Sequence, residues 1–449
     1  MPRSRRRLPA RVAEFISFPR NVWLLLAQNL AVFVGIGVQA LVLNLYLISL
    51  GYREDFLGLI AFANTIAIGA AALPASALAN RFGARRCLIA ATIGLAIATV
   101  AAVSSPLAVV IILAVVVVGV SQAFIFVPLA PYLMENSHPS DHPRAFAVSF
   151  SVLSIGAVIG SGLGGVLPGL VTAGAASVVE GYRVALLVGA AMSGLGTVAM
   201  LLATDRPAQA SSPVSSVVPP PVRNSSARRP PPPLLLTDRR FLQRDLTMMA
   251  LSGGLLAVST GLVVPFYNVY LYDQTGASTE QVGVVYAAGA ALMAPLSLIG
   301  PALGTRLGTV RAIAIARLLA VPVILLPLLV TSFGGGMAAY VLRAALVSLT
   351  QPIDNAFALS RVPDFMRARA AAIRTISWNG GWALASVGAG STIVRWGYGP
   401  VFVAAALCLM ACVVVHYVAF RDSAPDAITD PDESIALPES AEPNRLPTT

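Results

Sequence analysis

Charged side chains are scarce in this sequence, and lysine is absent. Only 11% of the 449 residues are charged, whereas a soluble domain carries roughly a quarter. Hydrophobic residues make up 57% of the chain. A chain of this composition cannot cover a surface that faces water, which excludes a soluble globular protein and indicates a protein embedded in a bilayer.

Cysteine is also rare, with three residues in the chain. Cys87, Cys408 and Cys412 lie in or beside apolar runs, so we predict neither a disulfide framework nor a metal site, and no cofactor. The loops on one side are too short to form a catalytic domain, and no acids cluster there. We therefore do not expect an enzyme.

The 30 basic residues are all arginine, and the formal charge is +10. Arginine without lysine is typical of a GC-rich genome, so we expect a bacterial inner (plasma) membrane protein. The arginines form short clusters between apolar runs, which favours contact with anionic lipid headgroups and not with nucleic acid. The expected surroundings are therefore a lipid bilayer.

Twelve apolar segments of about 20 residues or more, the length that crosses a bilayer as a helix, can be distinguished. They lie near residues 22–49, 55–79, 87–104, 106–134, 145–172, 183–203, 246–272, 280–304, 311–332, 335–360, 370–394 and 398–420. The predicted fold class is therefore all-α integral membrane, with twelve transmembrane helices.

The arginines lie mostly on one side of these spans. That side holds 24 of them, three lie within spans, and the opposite side holds Arg53, Arg183 and Arg395. By the positive-inside rule both termini are cytoplasmic.

The segments outside the spans complete the predicted domain organisation. Residues 1–21 form a basic tail, 204–245 a disordered linker rich in Pro, Ser and Arg, and 421–449 a disordered acidic tail. The linker separates a first half, 22–203, from a second half, 246–420.

The two halves repeat at a nearly constant spacing. Asn44-Leu-Tyr46-Leu47 in the first span recurs as Asn268-Val-Tyr270-Leu271 in the seventh, 224 residues later. Other residues recur at 224 or 225: Gly51 with Gly276, Gly58 with Gly283, Arg81 and Gly83 with Arg306 and Gly308, Pro128 with Pro352, and Pro139 with Pro363. Two six-span halves repeated in parallel are a transporter architecture in which a central site is exposed alternately to each side.

The loop after the second span carries a known motif. Ser76-Ala-Leu78-Ala-Asn80-Arg81-Phe82-Gly83-Ala84-Arg85-Arg86 resembles the signature G-x-L-a-D-R-x-G-x-R-R of the major facilitator superfamily. The resemblance covers about residues 20 to 420 and implies two pseudo-symmetric six-helix bundles. It also implies a cytoplasmic gate formed by Asn80, Arg81, Gly83, Arg85 and Arg86 and by the repeated Arg306 and Gly308. Asn80 replaces the acid of the family motif, and Ser76 replaces its first glycine.

Glycines are spaced closely in the fifth span. Gly156, Gly160, Gly164 and Gly165 resemble the glycine-rich motif of drug/proton antiporters, although Ser161 stands where that motif has proline. Small residues at this spacing let helix backbones approach closely. Helix packing and an antiporter function both remain open interpretations.

Charged residues within spans are costly and usually face a cavity or a partner. Asp354 and Arg374 lie at similar depth in the tenth and eleventh spans, and Arg343 shares a face with Asp354. We predict a substrate or proton pathway there, and a purely structural ion pair remains the alternative. The other candidates for that pathway are Gln351, Trp378, Gln39 and the repeated Asn44 and Asn268, which would form an outer gate or a helix-packing contact.

These observations predict a secondary active transporter of a small solute, one that is anionic or amphipathic. Proton-coupled efflux of small organic compounds fits the family resemblance, and we expect a monomer. The alternative is a receptor or scaffold of the same fold that has lost transport, because Asn80 and Ser161 both depart from family motifs.

Overall fold

The chain is helical throughout the part that the computed structural model describes, which is residues 18–174, 176–204, 236–363 and 366–421, and no strand occurs in those residues. The long helices of this part are α1 (Arg20–Ser49), α2 (Glu54–Phe82), α3 (Ala84–Ser104), α4 (Ala108–Asn136), α5 (His142–Ala173), α6 (Val178–Leu202), α7 (Leu236–Val263), α8 (Thr279–Leu307), α9 (Thr309–Leu329), α10 (Phe333–Ser360), α11 (Arg367–Trp396) and α12 (Tyr398–Phe420). The predicted acidic tail, most of the basic tail and most of the linker lie outside the described residues.

The described helices agree with the predicted twelve-span architecture. Eleven of them are long and apolar enough to cross a membrane. The remaining one, α11, is as long as α1, at 30 residues, but holds four arginines. It packs against α2 of the first half and α7 of the second.

The start of the second half differs from the prediction. Helix α7 begins at Leu236, so the last part of the predicted linker, residues 236–245, is helical. Asp245 in this extension accepts hydrogen bonds from Arg361 at the end of α10, with a shortest N–O distance of 2.9 Å. An ion pair with a neighbouring helix thus stabilises the end of a segment whose Pro, Ser and Arg content predicted a disordered linker.

The seventh span is also broken, whereas we predicted one continuous helix. A 3-10 turn, Val264–Phe266, follows α7, and a short helix, Tyr267–Thr275, completes the span. Pro265 lies in the turn and has no N–H to continue the helical hydrogen bonds. The break occurs in the second half only, because the equivalent residue of α1 is Leu41.

The two halves pack in the same way. In the first half α1 packs on α5 and α6, and α4 packs on α2 and α3. In the second half α7 packs on α11 and α12, and α10 packs on α8 and α9. The hydroxyl of Tyr46 donates to the carbonyl of Val103, and that of Tyr270 donates to the carbonyl of Pro327, and the partners are 57 positions apart in both cases. The sequence repeat is therefore also a structural repeat.

Two repeated glycines mark equivalent helix junctions. Gly83 separates α2 from α3, and Gly308 separates α8 from α9. Their φ angles are 88° and 81°, in the region that residues with a side chain rarely adopt. Each glycine lets the chain leave one long helix and enter the next through a single residue.

The halves meet through two helix pairs, α2 with α11 and α5 with α8. We call the end of the bundle at which α1, α3 and α5 finish the outer end, and the opposite end the inner end. Near the outer end a Cβ added to Gly283 of α8 would lie 2.8 Å from the Cα of Gly165 in α5. In the same region the hydroxyls of Tyr182 and Thr279 are 3.2 Å apart. The two halves are thus closed against each other at the outer end.

Candidate functional site

A cavity of about 260 Å³ lies between the two halves. Polar side chains of both halves line it together with apolar ones. The polar and aromatic members are Gln39 and Asn44 of α1, Asn64 and Thr65 of α2, Gln122 of α4, Tyr286 of α8 and Trp382 of α11. We call this space the central cavity. Its lining offers neutral hydrogen-bonding groups and two large aromatic surfaces.

Some of the predicted pathway residues lie at or near the central cavity, whereas Gln351 and the charged ones do not line it. Gln39 and Asn44 line it directly. Trp378 packs against Trp382 of the lining, with ring centroids 6.1 Å apart. Gln351 is exposed and lines neither the central cavity nor the smaller cavity described below, so the structure does not bring it to this site.

The repeated asparagines form a reciprocal contact between the halves. Asn44 of α1 donates to the carbonyl of Pro265, and Asn268 donates to the carbonyl of Leu41 at 2.7 Å. Leu41 and Pro265 are themselves repeat partners, because both asparagines lie three residues after them. The pair therefore joins the halves symmetrically above the central cavity.

A buried ionic cluster lies in the second half. The two carboxylate oxygens of Asp354 bind different arginines: Oδ1 lies 3.3 Å from Arg317 of α9, and Oδ2 lies 2.8 Å from Arg374 of α11. The exposed fractions are 4% for Arg317, 13% for Asp354 and 20% for Arg374. Arg374 also donates to the Oδ1 of Asn355 at 3.1 Å. The predicted meeting of Asp354 with Arg374 thus occurs within a three-residue cluster.

Sequence reasoning missed Arg317 as a member of this cluster. Its guanidinium also lies near the Oγ of Ser252 and the Sγ of Cys412, which come from α7 and α12. His416 of α12 is buried beside the ring of Phe357. The sequence feature that could have indicated this role is the position of Arg317 in an apolar span, where an arginine requires a partner.

Arg343 lies apart from this cluster and has no carboxylate within 4.0 Å among the described residues. Tyr340 precedes it by one helical turn on α10, and the ring of Tyr340 lies 5.2 Å from that of Tyr267 and 4.7 Å from that of Tyr286, centroid to centroid. Arg343 and Arg317 both line a small cavity of about 10 Å³ inside the second half. The structure therefore separates Arg343 from the Asp354 that shares its helix.

The predicted gate residues lie at the inner end. Arg85 donates to the carbonyls of Met200 and Leu201, both at 2.9 Å, and so binds the end of α6 in its own half. The guanidinium of Arg81 lies over the ring of Phe82. The remaining predicted gate positions are exposed, namely Asn80, Gly83, Arg86, Arg306 and Gly308.

The closely spaced glycines of α5 face neighbouring helices. A Cβ on Gly156 would meet Phe33 of α1 at 2.8 Å, and a Cβ on Gly160 would lie 2.9 Å from the Cα of Gly37. Gly164 contacts α1 as well, while Gly165 faces α8 of the second half. Glycine at these positions permits close approach of helix backbones within the first half and across the interface.

Comparison with known proteins matches this architecture to one family. The sequence profile described as the Major Facilitator Superfamily matches residues 25–386 and, in a second alignment, residues 249–438. A comparison with curated proteins gave no match.

Several solved structures share the fold. The nucleoside transporter NupG is similar with a TM-score of 0.71 and 13% identity, covering 89% of this chain and 99% of that one. A bacterial homologue of the human lysosomal transporter Spinster, in an inward-facing and occupied conformation, has a TM-score of 0.67 and 15% identity over 92% and 98% of the two chains. A POT family transporter in complex with 5-aminolevulinic acid has a TM-score of 0.66 and 13% identity over 90% and 96%.

Proposed function

This chain belongs to the Major Facilitator Superfamily, and we propose that it is a secondary active transporter that moves a small organic solute by alternating access. The observation that supports this most directly is the central cavity, whose lining comes from both halves. The contact of Gly165 with Gly283 closes the outer end. We assign this arrangement to the inward-facing conformation of a bacterial inner-membrane carrier with cytoplasmic termini.

The test is exchange of labelled solute by the purified full chain in proteoliposomes. The panel should include nucleosides and 5-aminolevulinic acid, because proteins of similar fold include a nucleoside transporter and a complex with that acid. We expect counterflow of at least one solute. Gln39→Leu, which removes an amide from the central cavity, should slow exchange, whereas Gln351→Leu, outside it, should leave the rate unchanged.

A receptor or scaffold of the same fold gives a different result. Asn80 favours this second candidate, because it lacks the charge of the family acid and its side chain is exposed. Such a protein would bind a solute without exchanging it. Saturable binding together with no counterflow across the whole panel would contradict the transport proposal.

We also propose that transport is coupled to protons and directed outward. Asp354 supports the coupling, since it is a largely buried carboxylate in the membrane interior, bound to arginines from two other helices. In inside-out vesicles with an acidic interior, the pH gradient should drive accumulation of the solute against its concentration gradient. Full gradient-driven accumulation by a well-expressed Asp354→Asn variant would show that Asp354 serves packing instead.

A further inference from the structure

The buried charges of the second half do not balance. Arg317, Arg343 and Arg374 lie on three neighbouring helices, and Asp354 is the carboxylate that binds two of them. Each oxygen of Asp354 is already bound to one guanidinium, which leaves Arg343 as the cation without a counter-ion among the described residues. A charge that stays unpaired in a membrane interior is costly, so such residues usually face a partner or a solute.

Arg343 is buried but not neutralised. Its exposed fraction is 8%. Tyr340, one helical turn earlier on α10, packs its ring against those of Tyr267 and Tyr286, and these phenols are dipoles without charge. The hydroxyl of Tyr267 already donates to the carbonyl of Gly336 at 2.8 Å. Among the described residues, no carboxylate lies within 4.0 Å of the five N–H donors of this planar guanidinium.

Arg343 also lies close to the central cavity. Tyr286 lines that cavity and stacks on Tyr340, with ring centroids 4.7 Å apart. Tyr340 in turn lies one helical turn before Arg343 on α10. Tyr340 and Tyr286 thus link Arg343 to the cavity wall, and a solute group would reach the guanidinium through movement of these two rings.

The space beside Arg343 limits the size of the group it could bind. The small cavity that it shares with Arg317 and Thr350 measures about 10 Å³, which corresponds to about one water molecule. A carboxylate matches the fork of the guanidinium but is larger than this space, so its binding requires the side chains between Arg343 and the central cavity to move. A tetrahedral phosphate is larger and carries more charge than one arginine offsets.

We propose that the transported solute is an organic carboxylate whose anionic group pairs with Arg343 and whose body lies in the central cavity against Tyr286 and Trp382. This inference rests on the proposed transport function and adds a substrate class to it. The solute would supply the counter-ion that the protein lacks. Arg374, in contrast, is already paired and has no role in selecting the anion.

The test compares carboxylates with their neutral amides on the purified full chain. The probes are benzoate with benzamide, nicotinate with nicotinamide, and 5-aminolevulinic acid with its amide, and the readout is Kd from thermal stabilisation. Wild type should prefer at least one carboxylate by about tenfold or more, as expected for a charge-assisted hydrogen-bonded pair. Arg343→Gln should lose this preference. Arg395→Gln, which removes the same charge from an exposed position on α11, should retain it.

Folding is controlled by a second variant. Arg343→Lys keeps the charge but loses the planar fork, so we expect a weakened preference for carboxylates. We expect this variant to fold whether or not Arg343→Gln does. A structural role predicts instead that Arg343→Gln lowers the melting temperature of the ligand-free protein. Our proposal predicts that this temperature stays the same or rises, since an unpaired charge is removed.

Three results would overturn the assignment: a carboxylate preference that persists in Arg343→Gln, no carboxylate that stabilises the wild type, or equal stabilisation by chloride alone. Different results would contradict the transport proposal and the proposed substrate class. A protein that exchanges no solute but binds carboxylates through Arg343 refutes transport only. One that exchanges neutral solutes and ignores carboxylates refutes the substrate class only.

Discussion

Polar groups in the core of the first half are neutral, whereas those in the core of the second half include ions. Gln28 and Asn29 are fully buried in α1, and the amides of Asn64 and Gln122 line the central cavity. In the second half, α9, α10 and α11 carry Arg317, Arg343, Asp354 and Arg374. The two halves share one packing scheme but differ in what their interiors can bind.

This difference separates two kinds of interaction energy. Hydrogen bonds between neutral groups in membrane helices average about 0.6 kcal/mol each, since the separated groups find other partners. Buried ions behave differently, because losing one partner leaves an uncompensated charge. The first half should therefore tolerate single substitutions of polar residues that the second half does not.

The largest effect is expected from Asp354→Asn, which leaves both Arg317 and Arg374 without a counter-ion. Breaking a buried ion pair costs about 3–5 kcal/mol, so we expect poor expression and a lower melting temperature. Asp245→Asn is the matched control. It breaks an aspartate–arginine pair whose arginine, Arg361, is 31% exposed, and we expect a smaller loss.

Compensating substitutions sharpen this test. Combining Asp354→Asn with Arg374→Gln still leaves Arg317 unpaired, so we expect partial recovery of stability. Adding Arg317→Gln should recover more. Full recovery in the double variant would show that Arg317 is not an energetic part of the cluster.

A second prediction concerns the closed outer end. The Cβ introduced by Gly283→Ala would approach both the Cα of Gly165 and the backbone oxygen of Ser161 to 2.8 Å. Such overpacking costs about 1–3 kcal/mol, and separating α5 from α8 relieves it. We expect faster labelling from the outer side of a cysteine introduced at Gln39.

Gly69→Ala is the control, since its Cβ would lie 3.7 Å from Asn379, an ordinary contact. Equal labelling in both variants would contradict this interpretation of the interface.

The third prediction tests the symmetry of the asparagine contact. Asn44→Ala and Asn268→Ala each remove one hydrogen bond between the halves, at a cost of about 0.6 kcal/mol and at most about 1.7. Labelling from the outer side should rise modestly and to a similar degree in both. Asn379→Ala, whose amide donates within its own helix, should have no effect. If labelling differed strongly between the Asn44 and Asn268 variants, the two hydrogen bonds would contribute unequally to the contact between the halves.

Much of the fold follows from two regular features of the sequence. Apolar length determines where a helix can cross a bilayer, and the repeat predicts that the halves pack alike. The break at Pro265 was not predictable in the same way. Pro74 and Pro128 lie inside continuous helices, because neighbouring helices can satisfy the backbone groups that a proline frees.

The site was only partly predictable. Similar depth on adjacent spans was enough to predict the meeting of Asp354 and Arg374. Whether Arg317 becomes the second partner of Asp354 depends on how α9 and α10 rotate about their axes. Hydropathy does not determine that rotation, since both helices are apolar on most sides. Arg343 shares a helix face with Asp354 but lies about 16 Å along the axis from it, too far for contact.

The smallest effect is expected from Asn80→Asp, which restores the acid of the family motif. Asn80 is exposed in the last turn of α2, where an added negative charge opposes the helix dipole by about 0.3–1 kcal/mol. In the conformation with a closed inner end, the same carboxylate would gain a charge interaction with a helix of the second half. The helix-dipole cost is common to both conformations, whereas the charge interaction favours the outward-facing one, so labelling of a cysteine at Gln39 from the outer side should increase slightly. Ser76→Asp adds an acid about one turn earlier on the same exposed helix end and serves as the control. Unchanged labelling in Asn80→Asp would mean that Arg81 and its neighbours serve as an anchor at the inner surface and not as a gate.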